Sequence, residues 1–226
     1  MTILAFDTTH GFCSVSIAKE GNILSSHVIE ETSKQAEMLI PTIEKVLTES
    51  ALDYKDIQTI STTVGPGSFT GVRIGLAAAH GLLLATKAAF FGISALEAVA
   101  WKVKQEQNIN EDLTLHVVLD ARRKELFLQS FNISTLKPLS AAILCDYETA
   151  ESLINEKPAI IAGNGIDVIK EHLSTSHQFV GSEFLPDAES VAELAAFKLQ
   201  RNEEGFPATP LYIRKPDAKI PTKKII

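Results

Sequence analysis

Thr62-Thr63-Val64-Gly65-Pro66-Gly67-Ser68-Phe69-Thr70-Gly71-Val72-Arg73 decides how the rest of the sequence is read. A β-branched run, Ile57 to Val64, precedes the glycines, and an uncharged apolar segment, Ile74 to Thr86, follows them. The order is strand, glycine loop, helix. Glycines at 65, 67 and 71 permit positive φ or close backbone approach where a side chain would clash. Pro66 fixes φ between two of them. Such a loop at a helix N-terminus can hold an anion on bare N–H groups, or it can let two backbones or two proteins pack without a gap. It matches neither phosphate fingerprint. No Gly-Lys-Ser/Thr follows at the Walker spacing, and Gly71 comes one residue late for a dinucleotide turn that starts Gly65-x-Gly67.

Upstream, Ile3-Leu4-Ala5-Phe6 is an apolar strand ending on the turn-rich Asp7-Thr8-Thr9-His10-Gly11. Phe12 to Ala18 alternates, with Cys13, Val15 and Ile17 on one face and Ser14 and Ser16 on the other. Glu20-Gly21-Asn22 turns the chain into a third strand, Ile23 to Ile29. Ser33 precedes an amphipathic helix with Ala36, Leu39, Ile40, Ile43, Val46, Leu47 and Ala51 at helical spacing. Pro41 inside that pattern predicts a kink. Downstream of the glycine loop come a short strand, Ala88 to Ile93, and a helix from Ala95 to about Gln105, with Ser94 and Glu97 spaced as a capping box. The polar stretch Gln105 to Asp112 is the best boundary, separating a subdomain of residues 1–108 from one of 109–226.

Beyond it the opening repeats. Leu113 to Leu119 is another apolar strand that ends on an acid and a turn, Asp120-Ala121-Arg122-Arg123. Strands Glu125 to Ile133 and Ala141 to Cys145 follow, then a helix from Tyr147 to about Asn155, the strand Ala159 to Ala162 and the turn Gly163-Asn164-Gly165. Both halves read strand, Asp turn, strand, strand, helix, strand, which predicts internal duplication. A helix through Val191, Leu194, Ala195 and Leu199 and a tail containing Pro210-Leu211-Tyr212-Ile213-Arg214 complete the chain, and are expected to pack back on the first subdomain.

The 226 residues can bury a proper core, and 45% hydrophobic with 22% charged residues is ordinary for a globular protein. A net charge of −7 argues against a domain whose main work is gripping nucleic acid. Five cations against Asp217 between Tyr212 and Ile226 give a local +4, read as a solvated basic tail or a contact for an acidic partner or RNA. Cys13 and Cys145 form no metal or redox pattern. The N-terminus reads as a first strand and not as a signal segment. The Ile74–Thr86 run is too short to span a bilayer, so the expected location is the cytoplasm. The six histidines contain no pair four apart, and no serine or cysteine sits in a nucleophile elbow.

Two features remain as candidates. Asp7 and Asp120, each ending the first strand of its half, could face a shared cleft and hold a metal-bound water or the cation of a nucleotide, for which Thr8, Gly65 and Gly67 are the further candidate contacts; the alternative is an Asp that satisfies its own turn. The Ile74–Thr86 helix is apolar nearly all round, so both its faces need cover, from this chain or from a second subunit.

The segments Ile3 to Thr9, Gly65 to Gly75, Asp120 to Arg123 and Pro210 to Arg214 resemble the TsaB (YeaZ) family over nearly the whole chain, most specifically in Gly-Pro-Gly-Ser-Phe-Thr-Gly-x-Arg. The resemblance implies an α/β fold of the actin-like, sugar-kinase/Hsp70 type built from two duplicated βββαβα subdomains. It also implies a non-catalytic subunit that pairs with a larger paralogue, TsaD, which transfers threonylcarbamoyl to the adenosine beside the anticodon of ANN-decoding tRNAs. A small ATPase, TsaE, joins that pair. No cofactor is then expected on this chain, with ATP and a metal ion left to the partners, and tRNA is met through the complex. The paralogue's histidine pair has no counterpart in Phe91 to Ala98. The expected partner interface comprises Leu39, Ile43 and Leu47 on one helix, and Phe69, Arg73, Ile74, Ala77, Ala78, Gly81 and Leu82 on the next, the same face serving a homodimer when the chain is alone. The competing expectation is a stand-alone ATPase or phosphotransferase using Asp7, Asp120 and the glycine loop.

Overall fold

The computed structural model describes residues 1–31, 34–107 and 112–214. Ser33, the centre of the Gln105–Asp112 boundary and the cations beyond Arg214 lie outside the described residues. Two five-stranded sheets carry the fold. The first contains β1 (Thr2–Asp7), β2 (Cys13–Lys19), β3 (Asn22–Ile29), β4 (Thr59–Gly65) and β5 (Ala89–Ser94) in the order β3-β2-β1-β4-β5. The second contains β6 (Thr114–Asp120), β7 (Glu125–Asn132), β8 (Ile143–Asp146), β9 (Ile160–Ala162) and β10 (Gln178–Gly181) in the order β8-β7-β6-β9-β10. In each, the first three strands pair antiparallel and the first, fourth and fifth pair parallel. The inferred duplication is therefore real at the level of topology. Each half also continues one strand and one helix beyond the expected βββαβα.

The helices are α1 (Gln35–Glu49), α2 (Phe69–Ala85), α3 (Ala95–Gln107), α4 (Tyr147–Ile154), α5 (Ile166–Ile169) and α6 (Ala188–Gln200). Pro41 lies within an unbroken α1, so the helix neither starts nor ends there. The apolar stripe of α1 packs with α2 on one face of the first sheet, while α4 and α5 cover the outer face of the second. Between the sheets the halves exchange helices. Leu96, Val99 and Val103 of α3 pack on the second sheet, and Val191, Leu194 and Ala195 of α6 pack on the first. The two helices meet where the Trp101 ring lies 4.9 Å from Phe197 and its Nε1–H donates to Glu193 at 2.8 Å. A cut near residue 108 thus separates the sheets but not the helices.

That exchange corrects the reading of β2. Its alternation predicts one apolar and one polar face, yet Ser14 and Ser16 are as buried as Cys13 and Val15. α6 lies over them, and the Ala188 N–H donates to Ser14 Oγ at 2.9 Å. Small side chains there let a helix approach. The box at α3 is half built: the Ser94 N–H reaches Glu97 Oε2 at 3.4 Å, but Ser94 Oγ is buried without a hydrogen-bond partner among the described residues.

Burial also corrects part of the expected interface. Leu39, Ile43 and Leu47 are at most 4% exposed, and Leu82 is 8% exposed. They belong to the core between α1, α2 and the sheet, because the stripe legible in the sequence is the one a sheet buries first. Ile43→Val is accordingly expected to cost about 1 kcal/mol of stability, read by urea unfolding, with no change in pairing.

Candidate functional site

Three of the four segments that carry the family resemblance converge at one end of the first sheet, and the fourth, Asp120 to Arg123, ends β6 of the second sheet. β1 delivers Asp7, Thr8 and Thr9, and β4, its parallel neighbour, delivers the glycine loop. Ser68 caps α2 by accepting from the Gly71 N–H at 3.3 Å, so α2 begins at Phe69, five residues before the apolar run that marks it in the sequence. The second half of the motif is thus the first turn of the helix.

The glycines are filled from within. A Cβ on Gly71 would lie 2.0 Å from the Thr8 carbonyl oxygen, one on Gly67 2.8 Å from Thr9 Cβ, and one on Gly65 2.9 Å from the Leu211 carbonyl oxygen. The Ser68 N–H donates to the Thr9 carbonyl at 2.8 Å, and Thr8 Oγ1 donates to the Gly71 carbonyl at 2.7 Å. The glycines serve close packing here, with the backbone of the β1–β2 turn against the loop.

Asp7 is fully buried. Its carboxylate accepts from Thr9 Oγ1 at 2.6 Å, the Thr9 N–H at 3.2 Å and Thr63 Oγ1. Burial pushes its pKa up to about 6 against the pull of those bonds, and Asp187 of α6 adds to the rise. Burial likewise lowers His10 to about 4 and raises Cys13 to about 12. Asp187 caps α6, accepting from the Ser190 N–H, and pairs with Lys102 at 2.5 Å. The carboxylate that acts on Asp7 is therefore Asp187. Asp120 is held in its own turn, its Oδ1 accepting from the Arg122 N–H at 2.8 Å. Clefts of about 160 and 280 Å3 flank α6, and neither is lined by Asp7, Asp120 or the glycine loop.

The tail ties the segments together. Phe206 forms a bridge with Gly92 at the edge of β5, and the Leu211 N–H donates to the Val64 carbonyl at 2.8 Å. Tyr212 stacks on Phe69 at 5.7 Å and accepts from Arg73 Nε at 3.1 Å, while the Arg73 guanidinium sits 3.7 Å from the Phe69 ring centre. Arg214 crosses to the second half, where it donates to the Ala121 carbonyl at 2.8 Å and pairs with Glu125 at 2.5 Å. The motif residues were legible in the sequence, but their mutual contacts were not, because they are separated by up to about 140 positions.

On the outer face of α2, Phe69 is 55% and Leu84 91% exposed, with Arg73, Ala77 and Gly81 exposed between them; Ile74 and Ala78 are half-buried. On the neighbouring α1, Ile40 and Pro41 face outward. Among the described residues, no three His, Cys, Asp or Glu side chains converge as metal ligands, and no helix is long and apolar enough to cross a membrane.

Duplicated α/β subdomains with an Asp turn after each first strand define the actin-like, sugar-kinase/Hsp70-type fold. The activator of the 2-hydroxyisocaproyl-CoA dehydratase from Clostridium difficile shares this fold at a TM-score of 0.52 and 12% identity, over 92% of this chain and all of that one. YeaZ from Pseudomonas aeruginosa matches at a TM-score of 0.81 and 27% identity, over 94% of this chain and all of that one. In sequence, TsaB of Haemophilus influenzae is 26% identical over 95% of this chain and 94% of its own length. TsaB of Escherichia coli is 32% identical over 56% of this chain, which spans about half (53%) of that protein. The family described as TsaD, tRNA N6-adenosine threonylcarbamoyltransferase, matches residues 22–222. The chain belongs to that family, within its TsaB (YeaZ) branch.

Proposed function

We propose that this chain is a non-catalytic, activating subunit of the machinery that makes threonylcarbamoyladenosine beside the anticodon of ANN-decoding tRNAs. It pairs with a larger TsaD-type paralogue through the outer faces of α1 and α2, and a TsaE-type ATPase joins the pair in the cytoplasm. ATP and a metal ion are handled by those partners. The single observation that carries the interface is α2: its inner face is already filled by the sheet, and its outer face still presents Phe69, Ala77 and Leu84 to solvent. Small residues at 77 and 81 let a partner helix come close, and the same face serves a homodimer when the chain is alone.

Ala77, fully on the outer face, is a cleaner probe than the half-buried Ala78. Ala77→Arg is expected to weaken co-purification with a co-expressed TsaD-type partner at least about tenfold while leaving the melting temperature within about 1 °C. Undiminished pairing would sink the interface assignment. ATP turnover by the isolated chain that disappears in Asp7→Asn would overturn the non-catalytic reading in favour of a phosphotransferase.

A further inference from the structure

The tip of the β6–β7 hairpin breaks a local rule. Its turn closes through the Glu125 N–H on the Arg122 carbonyl at 3.1 Å, which puts Arg123 and Lys124 at the two central positions. Both have positive φ, 58° and 62°, and so does Arg122 at 63°. Two-residue hairpin turns with positive φ at both centres favour Asn-Gly, since a Cβ is disfavoured there. This chain places three consecutive, exposed basic residues in that conformation, in a protein of net charge −7. A turn selected for shape alone would carry other residues.

The surroundings hold the tip in place and silence its acids. Asp120 Oδ1 accepts from the Arg122 N–H, Glu125 is paired with Arg214, and Arg214 also donates to the Ala121 carbonyl. The tail thus clamps the base of the turn while the side chains of Arg122 and Lys124 make no hydrogen bond or ion pair among the described residues. We infer that the Arg122–Lys124 turn is a phosphate-backbone contact for RNA. The charges of Arg122 and Lys124, without a side-chain partner among the described residues, are neutralised by a polyanion. The inference rests on the proposed role in tRNA modification and gives this subunit a direct hold on the substrate of the complex.

The test uses the full chain, alone and assembled with its TsaD-type and TsaE-type partners, against an ANN-decoding tRNA transcript over a KCl series. Replacing Arg122→Gly and Lys124→Gly together removes charge and relieves the positive-φ strain, so the two effects move in opposite directions. Expected are a roughly tenfold loss of tRNA affinity near 0.1 M salt, a salt slope shallower by about 1.5 and a melting temperature unchanged or higher. Arg122→Lys with Lys124→Arg should keep the wild-type slope. Unchanged affinity and slope in the glycine variant would overturn the inference. So would retained tRNA affinity with lost co-purification of a partner, which would make the turn a protein contact. Failure of the wild-type complex to assemble or to modify tRNA would instead count against the proposed function, and the binding series with the chain alone would still decide the turn.

Discussion

Gly71→Ala should lower the stability of this protein by about 3 kcal/mol or more, with a melting temperature roughly 10 °C lower. The added methyl would sit 2.0 Å from the carbonyl oxygen of Thr8 and 2.9 Å from its carbon. Those are backbone atoms of a turn locked by the Asp7 hydrogen bonds and by the Ser68–Thr9 bond, so no flexible side chain can step aside. Either α2 lifts off the turn or the β1–β2 turn moves off the sheet. The matched control is Gly81→Ala, ten residues further along the same helix, where nothing lies within 4 Å of the new atom. There alanine removes only the helix-interior cost of glycine, and a gain of about 0.5–1 kcal/mol is expected. Urea unfolding of the two variants reads both signs. Equal effects would mean that the loop glycines serve something other than the packing of α2 on the first turn.

The sheets were legible because the same apolar strand followed by an acid and a turn occurs twice, and because alternation and β-branching mark strands locally. The glycine loop announced its place between strand and helix, and its spacing excluded the phosphate fingerprints. What escaped depends on distance along the chain. Nothing local tells that α6 covers the Ser14–Ser16 face of β2, or that Arg214 reaches the Ala121 carbonyl. β10, only four residues long, has too little periodicity to find. Leu39, Ile43 and Leu47 illustrate a different limit: an apolar stripe says that something covers it, and here the chain's own sheet does so. The outward face of α1 and α2 carries the weaker signal of Ile40, Pro41, Ala77 and Leu84. The positive φ of Arg122, Arg123 and Lys124 has no sequence signature, since the residues contradict the conformation they adopt.

Asp7→Asn should make the protein more stable at pH 8 by about 2–3 kcal/mol and no more stable than the wild type near pH 4. Asp7 has its pKa raised from 3.8 to about 6, so between those values the folded state holds a proton that the unfolded chain releases. Its contribution is present in full below pH 4 and is lost as the pH rises through 6. Asparagine keeps the shape and stays neutral, and the hydroxyls of Thr9 and Thr63 can each rotate to accept from the new amide. His10, lowered from 6.5 to about 4, acts with the opposite sign: its contribution is present above 6.5 and lost on acidification. In the wild type the two slopes oppose each other between pH 4 and 6, so the Asp7→Asn variant should lose stability more steeply on acidification. Asp7→Ala, by contrast, strands the Thr9 N–H and the Thr63 hydroxyl in the core and is expected to be less stable at every pH. Unfolding free energies at pH 4, 6 and 8 for the three proteins decide the matter. An Asp7→Asn variant that is less stable than the wild type at pH 8 would mean that the carboxylate is held ionised by design, and would return Asp7 to the list of groups able to bind a cation.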